Sequence, residues 1–276
     1  MKVMANSIPK GGTHLLLRLL TLLGFTENRF WVGADLVHGQ SELLRGGTLT
    51  DRVWIGSEVP VQIGRDRLYN HIASIPDGAV FGAHCLYSIE LADLLSTLDV
   101  RTVCILRDPR AIAASHLDYI RRSPHHFFHH AYMALPDDDA RLMMSIRGGK
   151  LAQYELQPLA ERYRTFVDWG RAGGAVIVRF EDLVGEHGGG SRAAQAGAVR
   201  AVVEFLGLDV DYARLEYVES QLFGSTSTFR KGRVDSWRSE LPEVHKHILE
   251  EELSDLLKEL GYTTERGVSG ASGGAG

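Results

Sequence analysis

The chain has 276 residues, 44% hydrophobic and 24% charged, with a formal net charge of -5 at pH 7. That usage supports a sizeable core, so neither a disulfide framework nor a structural metal is needed to hold it. The negative balance excludes a global basic field for nucleic acid and leaves only a local basic patch as an anion site. In chain order, Met1 to Ser7 reads as a first strand and Ile8 to Thr13 as a turn. His14 to Leu23 is apolar nearly all round, a buried helix that Gly24 can stop. Residues from Phe25 to about Asp77 are glycine-punctuated and predict loops with one short helix. Ala79 to His84 reads as a second buried strand, Leu91 to Leu98 as a helix, and Arg101 to Arg107 as a third strand. Asp108-Pro109 ends that strand, and Pro109 suits the first turn of a helix over Ala111 to Arg121. Met143 to Arg171 is mostly helical by pattern, Ala175 to Phe180 is a fourth strand, and Ala193 to Leu206 is a helix stopped by Gly207. Val244 to Leu260 predicts the last helix, before a Gly/Ser-rich tail.

Short apolar strands that alternate with helices predict an α/β fold, a single three-layer P-loop-like domain with a central, mostly parallel sheet flanked by helices. The expected division is one domain over 1–265 and a disordered tail over 266–276. The two cysteines, Cys85 and Cys104, sit in apolar contexts and read as buried reduced thiols. The longest apolar stretch, Leu15 to Phe25, is interrupted by Arg18 and falls short of the ~20 residues of a membrane span. Nothing resembling a cleavage site follows it. The expectation is a cytoplasmic protein without membrane or nucleic-acid partners.

In parallel sheets, ligands bind beyond the carboxyl ends of the strands. Lys10, His84, Arg107 and Phe180 all lie at or just past predicted strand ends, so four candidates should converge on one rim. The turn Pro9-Lys10-Gly11-Gly12-Thr13-His14 joins a strand to a helix. Its glycines admit a ligand close to the backbone, the helix N-terminus presents free N–H groups, and Lys10 adds a full charge. Those are the elements of an anion cradle, although a plain turn with a solvated lysine has the same pattern. A Walker A loop places its lysine after the last glycine, with a hydroxyl for Mg²⁺; here Lys10 precedes Gly11 and Gly12.

Two further segments carry positive charge. Arg107 ends a strand, and Ser115 follows eight residues later, about two helical turns in. Pairing of Arg107 with Asp108 is the bland alternative. Phe229-Arg230-Lys231-Gly232 sets two cations before a glycine in a Ser/Thr-rich stretch, which fits either a loop folded over an anion or a solvated basic loop.

Together the three segments resemble the sulfotransferases that use 3′-phosphoadenosine 5′-phosphosulfate (PAPS). Pro9-Lys10-Gly11-Gly12-Thr13 looks like the family's first motif, P-K-[SA]-G-T. Arg107 and Ser115 match the arginine and serine of the second, and Arg230, Lys231, Gly232 and Trp237 match the third, with Arg238 where a lysine is usual. Asp235-Ser236 departs from the family's Gly-Asp, and Gly11 from its serine or alanine. Phe180-Glu181-Asp182-Leu183 is similar to its Y-E-D-L, with Phe180 able to stack but not to donate a hydrogen bond. The matches run in order from residue 5 to about 238.

The resemblance implies PAPS as co-substrate, PAP as product and a small-molecule hydroxyl as acceptor, with no metal. It implies that Lys10, Gly11, Gly12, Thr13 and His14 hold the 5′-phosphosulfate. Arg107, Ser115, Phe229, Arg230, Lys231 and Gly232 would hold the 3′-phosphate end, and Phe180 would lie near the adenine, a place for which Trp54 is also open. The family's general base is a histidine after the second strand; His84 precedes Arg107 by 23 residues and stands in that place, in Gly82-Ala83-His84 rather than K-T-H. A structural histidine is the alternative. Pro124-His125-His126-Phe127-Phe128-His129-His130 suggests metal chemistry at first, but no cysteine completes a zinc set, and an aromatic lid on the acceptor side is the expectation. Two rival functions stay open: an ATP-dependent small-molecule kinase on a P-loop fold, and a nucleotide-binding protein without catalysis. Acceptor identity and oligomeric state are not readable from the sequence.

Overall fold

Five short strands form one all-parallel sheet in the computed structural model, which describes residues 1–33, 51–223 and 233–263. They are β1 (Lys2–Ser7), β2 (Thr26–Val32), β5 (Ala79–Ala83), β6 (Val100–Leu106) and β9 (Ala175–Arg179), in the order β2-β5-β1-β6-β9. Two antiparallel hairpins stand apart from it: β3 (Arg52–Ile55) with β4 (Val61–Gly64), and β7 (Gly149–Leu151) with β8 (Tyr154–Leu156). Side chains alternate across the sheet, because successive residues of a strand face opposite sides. Val3 and Ala5 of β1 therefore pack with Leu16 and Leu20 of the first helix and Val199 and Val202 of helix Arg192–Leu206. Met4 faces the other way, into a core with Phe81, Ile112, Phe166 and Trp169. Helices on both faces explain why the central strands read as continuous apolar runs.

Parallel strands bring all their carboxyl ends to one rim. The chain leaves β1 toward β5 and β2, whereas β6 leads on to β9 on the opposite side, so the strand order reverses between β1 and β6. That is where open α/β sheets place their ligands. Asn6, wholly buried near the end of β1, exchanges hydrogen bonds of 2.9 Å with the Cys85 backbone in both directions. It ties the exit of β5 to that of β1. Both thiols are free and buried, and burial raises the pKa of Cys85 to about 12.

Several sequence expectations need correction. Among the described residues from Phe25 to Asp77, Arg65–Ala73 is the one short helix expected, but β2 and the β3–β4 hairpin stand where only loops were expected. β2 is a sheet edge with mostly accessible, polar residues, so its sequence lacks the apolar run of a central strand. The predicted helix over Met143 to Arg171 is two helices, Asp138–Arg147 and Leu159–Arg171, separated by β7 and β8. Gly148 breaks it; its φ is 65°, and a Cβ there would lie 2.4 Å from the Leu156 carbonyl oxygen. The predicted last helix is also divided, into Glu243–Glu252 and Ser254–Glu259, at Leu253, whose side chain is buried. The three aspartates after Pro136 begin a helix: Asp137 caps its N-terminus by accepting from Ala140 N at 2.8 Å, and Asp138 pairs with Arg121 and Arg141. The expected tail over 266–276 lies outside the described residues.

Candidate nucleotide site

The loop after β1 is held in an unusual shape. Lys10 adopts φ 69°, a left-handed conformation that is uncommon outside glycine and concentrates at functional sites. Gly11 N donates to Ile8 O at 2.8 Å, closing the turn. Gly12, with φ 108°, caps helix Thr13–Leu22. A Cβ on Gly12 would lie 2.6 Å from the Phe180 ring and 3.2 Å from Ile105, so the loop can rest on β6 and β9 only with glycine there. The helix has no side-chain cap and no acidic residue in its first turn. Its first N–H groups have no partner within the helix, and its dipole end is positive. An anion is the natural complement of such an end.

Arg107 emerges from β6 directly beside this loop. Its Nη1 donates to Lys10 O at 3.2 Å, and its guanidinium lies 4.2 Å from the centre of the Phe180 ring. Asp108 does not neutralise it by a close ion pair. The Asp108 carboxylate accepts from the Arg110 backbone N at 2.8 Å and side chain Nη2 at 2.7 Å, and Arg110 reaches on to Glu250. The Tyr163 hydroxyl donates to the Arg107 carbonyl, and Glu181 accepts from the Asp108 backbone N at 2.8 Å. Burial raises the Glu181 pKa. Asp108, Arg110, Tyr163 and Glu181 thus prop the Arg107 backbone. The sequence offered Glu181 only as part of Phe180-Glu181-Asp182-Leu183, and nothing in it marked Tyr163.

His84 follows β5 and faces the same rim. Its Nδ1 lies 2.9 Å from Ser7 O and 3.4 Å from Ser7 Oγ; Ser7 Oγ is 2.5 Å from Thr13 Oγ1. A carbonyl can only accept, so Nδ1 carries the hydrogen and Nε2 keeps the lone pair. Burial lowers the His84 pKa against the opposing effect of that hydrogen bond, which favours the neutral ring at pH 7. The Trp31 ring sits 5.3 Å from His84 and 5.6 Å from His14. Gly82 makes room for it, since a Cβ there would lie 2.7 Å from the indole.

Lys10, Gly12, His84, Arg107 and Phe180 are therefore linked into one rim by short contacts. Ser115 is half-buried on helix Pro109–Arg122, and among the described residues no hydrogen bond joins it to that set. His14 is exposed at the start of the first helix. Phe229, Arg230, Lys231 and Gly232 lie outside the described residues. Trp237 is buried between Arg110 at 4.7 Å and Arg238 at 4.6 Å, a packing role at the base of helix Pro109–Arg122. Trp54 is exposed on the β3–β4 hairpin.

Comparison with solved structures gives this arrangement a context. A mouse sulfotransferase, SULT7A1, complexed with PAP superposes with a TM-score of 0.61 at 14% identity, over 94% of this chain and 86% of that one. The fold is that of the sulfotransferases. Retinol dehydratase with androsterone and the inactive cofactor PAP shares the sulfotransferase fold at a TM-score of 0.56 and 15% identity, over 96% of this chain and 83% of its own. A retinol dehydratase complex with retinol and PAP gives 0.54 at 14% identity, over 94% and 81%. No family model and no curated protein matches the sequence.

The histidine-rich segment reaches the rim through Tyr119, whose ring lies 5.7 Å from His126 and 4.0 Å from Lys10 Nζ. Phe128 and Tyr132 are buried in the core, His129 Nδ1 is 2.6 Å from Ile120 O, and the His126 ring stacks on Phe127 at 4.5 Å. Among the described residues no group of three His, Cys, Asp or Glu side chains is arranged to hold a metal. No helix among them is long and apolar enough to cross a membrane. Behind the segment is a buried polar cluster that the sequence did not announce. Glu58 Oε1 lies 3.0 Å from His116 Nε2 and 3.6 Å from Arg162 Nη1, and His116 Nδ1 is 2.9 Å from Ser145 Oγ. Burial pushes the Glu58 pKa up, but His116 and Arg162 outweigh it and hold the carboxyl at about 2.

Proposed function

We propose that the protein transfers a sulfuryl group from PAPS to a hydroxyl of a small-molecule acceptor, releasing PAP, with His84 as general base. The observation that carries this reading is the joining of Lys10, Arg107 and His84 on one rim of a sulfotransferase fold, although they come from three separate strands. In this reading Lys10 and the uncapped helix end receive the 5′-phosphosulfate. Arg107, with Ser115 and the basic segment Phe229-Arg230-Lys231-Gly232, receives the 3′-phosphate. Phe180 supports the loop and the Arg107 guanidinium, at the edge of the adenine site.

The chemistry is an in-line displacement at sulfur. The acceptor oxygen forms a bond to sulfur while the bond from sulfur to the phosphate oxygen breaks. The hydroxyl proton goes to His84 Nε2, whose lone pair is left available by the Nδ1 contact with Ser7 O. Charge grows on the departing phosphate oxygen, where Lys10 and the helix N–H groups stabilise it. Retinol and androsterone, each bound by a retinol dehydratase of the same fold, make apolar alcohols the first acceptors to assay.

Calorimetry with PAP, ADP and ATP tests the donor: tight binding of PAP alone supports the reading, whereas preference for ATP would turn it into a kinase. Turnover of PAPS with a panel of phenols, alcohols and sugars separates an enzyme from a binding protein. Lys10→Ala should weaken PAP binding and turnover together, by at least tenfold each, as loss of a charged hydrogen bond predicts.

A further inference from the structure

We propose that Tyr119 is a positioning residue that holds the Lys10 ammonium and couples it to the histidine-rich segment on the acceptor side. The Lys10 Nζ lies 4.0 Å from the centre of the Tyr119 ring, a cation–π contact within ordinary range. Tyr119 lies on helix Pro109–Arg122, one turn beyond Ser115, and is itself 41% exposed. The other side of the contact is the His126 ring, which meets Tyr119 edge-on at 5.7 Å and 84°. His126 in turn stacks on Phe127 and stands edge-on to Phe128 at 4.3 Å, whose side chain is anchored in the core. A continuous stack therefore runs from the buried Phe128, through His126 and Tyr119, to the one lysine of the phosphate loop.

The protonation of His126 matters to this chain of contacts. Its Nδ1 is buried without a hydrogen-bond partner, and burial lowers its pKa to about 4. A neutral ring there spares the Lys10 ammonium a nearby like charge. The left-handed backbone of Lys10 restricts where its side chain can start, and the Tyr119 ring restricts where it ends. An acceptor that displaces His126 or Tyr119 thus also moves the cation that faces the leaving phosphate.

This inference rests on the sulfotransferase reading for its kinetic consequence but not for the contact itself. The contact is tested by reductive ¹³C-methylation of the lysines, with Lys10→Arg assigning the Lys10 signal. A ring-current shift of that signal should be lost in Tyr119→Ala, kept in Tyr119→Phe and altered in His126→Ala. With PAPS and an acceptor, Tyr119→Ala should lower kcat about three- to thirtyfold, the span of a cation–π contact, and Tyr119→Phe should restore it. An unchanged Lys10 signal in Tyr119→Ala, or a Tyr119→Phe protein no better than Tyr119→Ala, would overturn the proposal. Absence of PAP binding by the wild-type protein would instead sink the sulfotransferase reading, and the Lys10 signal would still decide the contact. Circular dichroism of each variant separates loss of the stack from misfolding.

Discussion

The two flanks of the rim are built on different physical terms. On the flank proposed for the donor, charge is held by backbone: Lys10, the first helix and Arg107 follow directly from β1 and β6, and their geometry is set by strand ends and by glycine. On the flank proposed for the acceptor, side chains hold one another: Glu58, His116, Arg162, Ser145 and Tyr132 form a buried network under the histidine-rich segment. The first arrangement gathers positive charge at one strand-end loop, with Arg107 held on Lys10 O and the Phe180 ring. The second pairs its charges internally, Glu58 with His116 and Arg162. Substitutions on the donor flank should therefore be read in ligand binding and turnover, and those in the Glu58 network in stability.

The largest effect expected is that of His84→Ala, at the boundary between the flanks. Turnover should fall by about 10²–10⁴-fold, the ordinary contribution of a general base, with little change in PAP affinity. Near-normal turnover would remove His84 from the chemistry. Next is Glu58→Gln, which leaves Arg162 buried without its carboxylate and should cost about 3–5 kcal/mol in unfolding free energy. PAP affinity, measured below the lowered Tm, should persist, and a variant that loses affinity but not stability would blur the comparison. The same carboxyl has a pH signature. Its pKa is about 2 when folded against 4.5 ordinarily, so the stability it contributes is present above pH 4.5 and lost as pH falls toward 2. Acid unfolding of Glu58→Gln should lack that component.

Gly12→Ala should act on the donor flank with a smaller effect. The added Cβ meets Phe180 in a backbone conformation that alanine disfavours, at a cost of about 1–3 kcal/mol. Titration calorimetry should find weaker PAP binding even where the fold survives. Smallest is a shift in a pH profile. Because burial lowers the His84 pKa below the ordinary 6.5, kcat/KM should stay level through pH 7 and decline only below 6.5 as the ring gains its proton. A decline beginning above pH 7 would mean that another group carries the acid limb.

What was legible follows the same division. The central strands announced themselves as apolar runs, and Lys10, His84, Arg107 and Phe180 could be placed on one rim because parallel strands share a direction. The edge strand β2 was not legible, since Thr26, Glu27 and Arg29 are exposed and its residues show no apolar period. Nor was the helix break at Leu253, where no glycine or proline marks it. Tyr119 and Glu58 lacked any local signal, because their partners lie at distant points of the sequence.

The sequence alone determined the alternation of the central strands and helices, the turn after the first strand and the types of residue at the strand ends, since these depend on propensity, glycine and charge over a few consecutive residues. Only the tertiary structure decided that Arg110, not Arg107, takes Asp108, that Phe180 lies beneath Gly12 and Arg107, and that Tyr119 meets Lys10. Each of those contacts depends on packing across the sheet, and side chains choose among partners by distance and burial that no local pattern records.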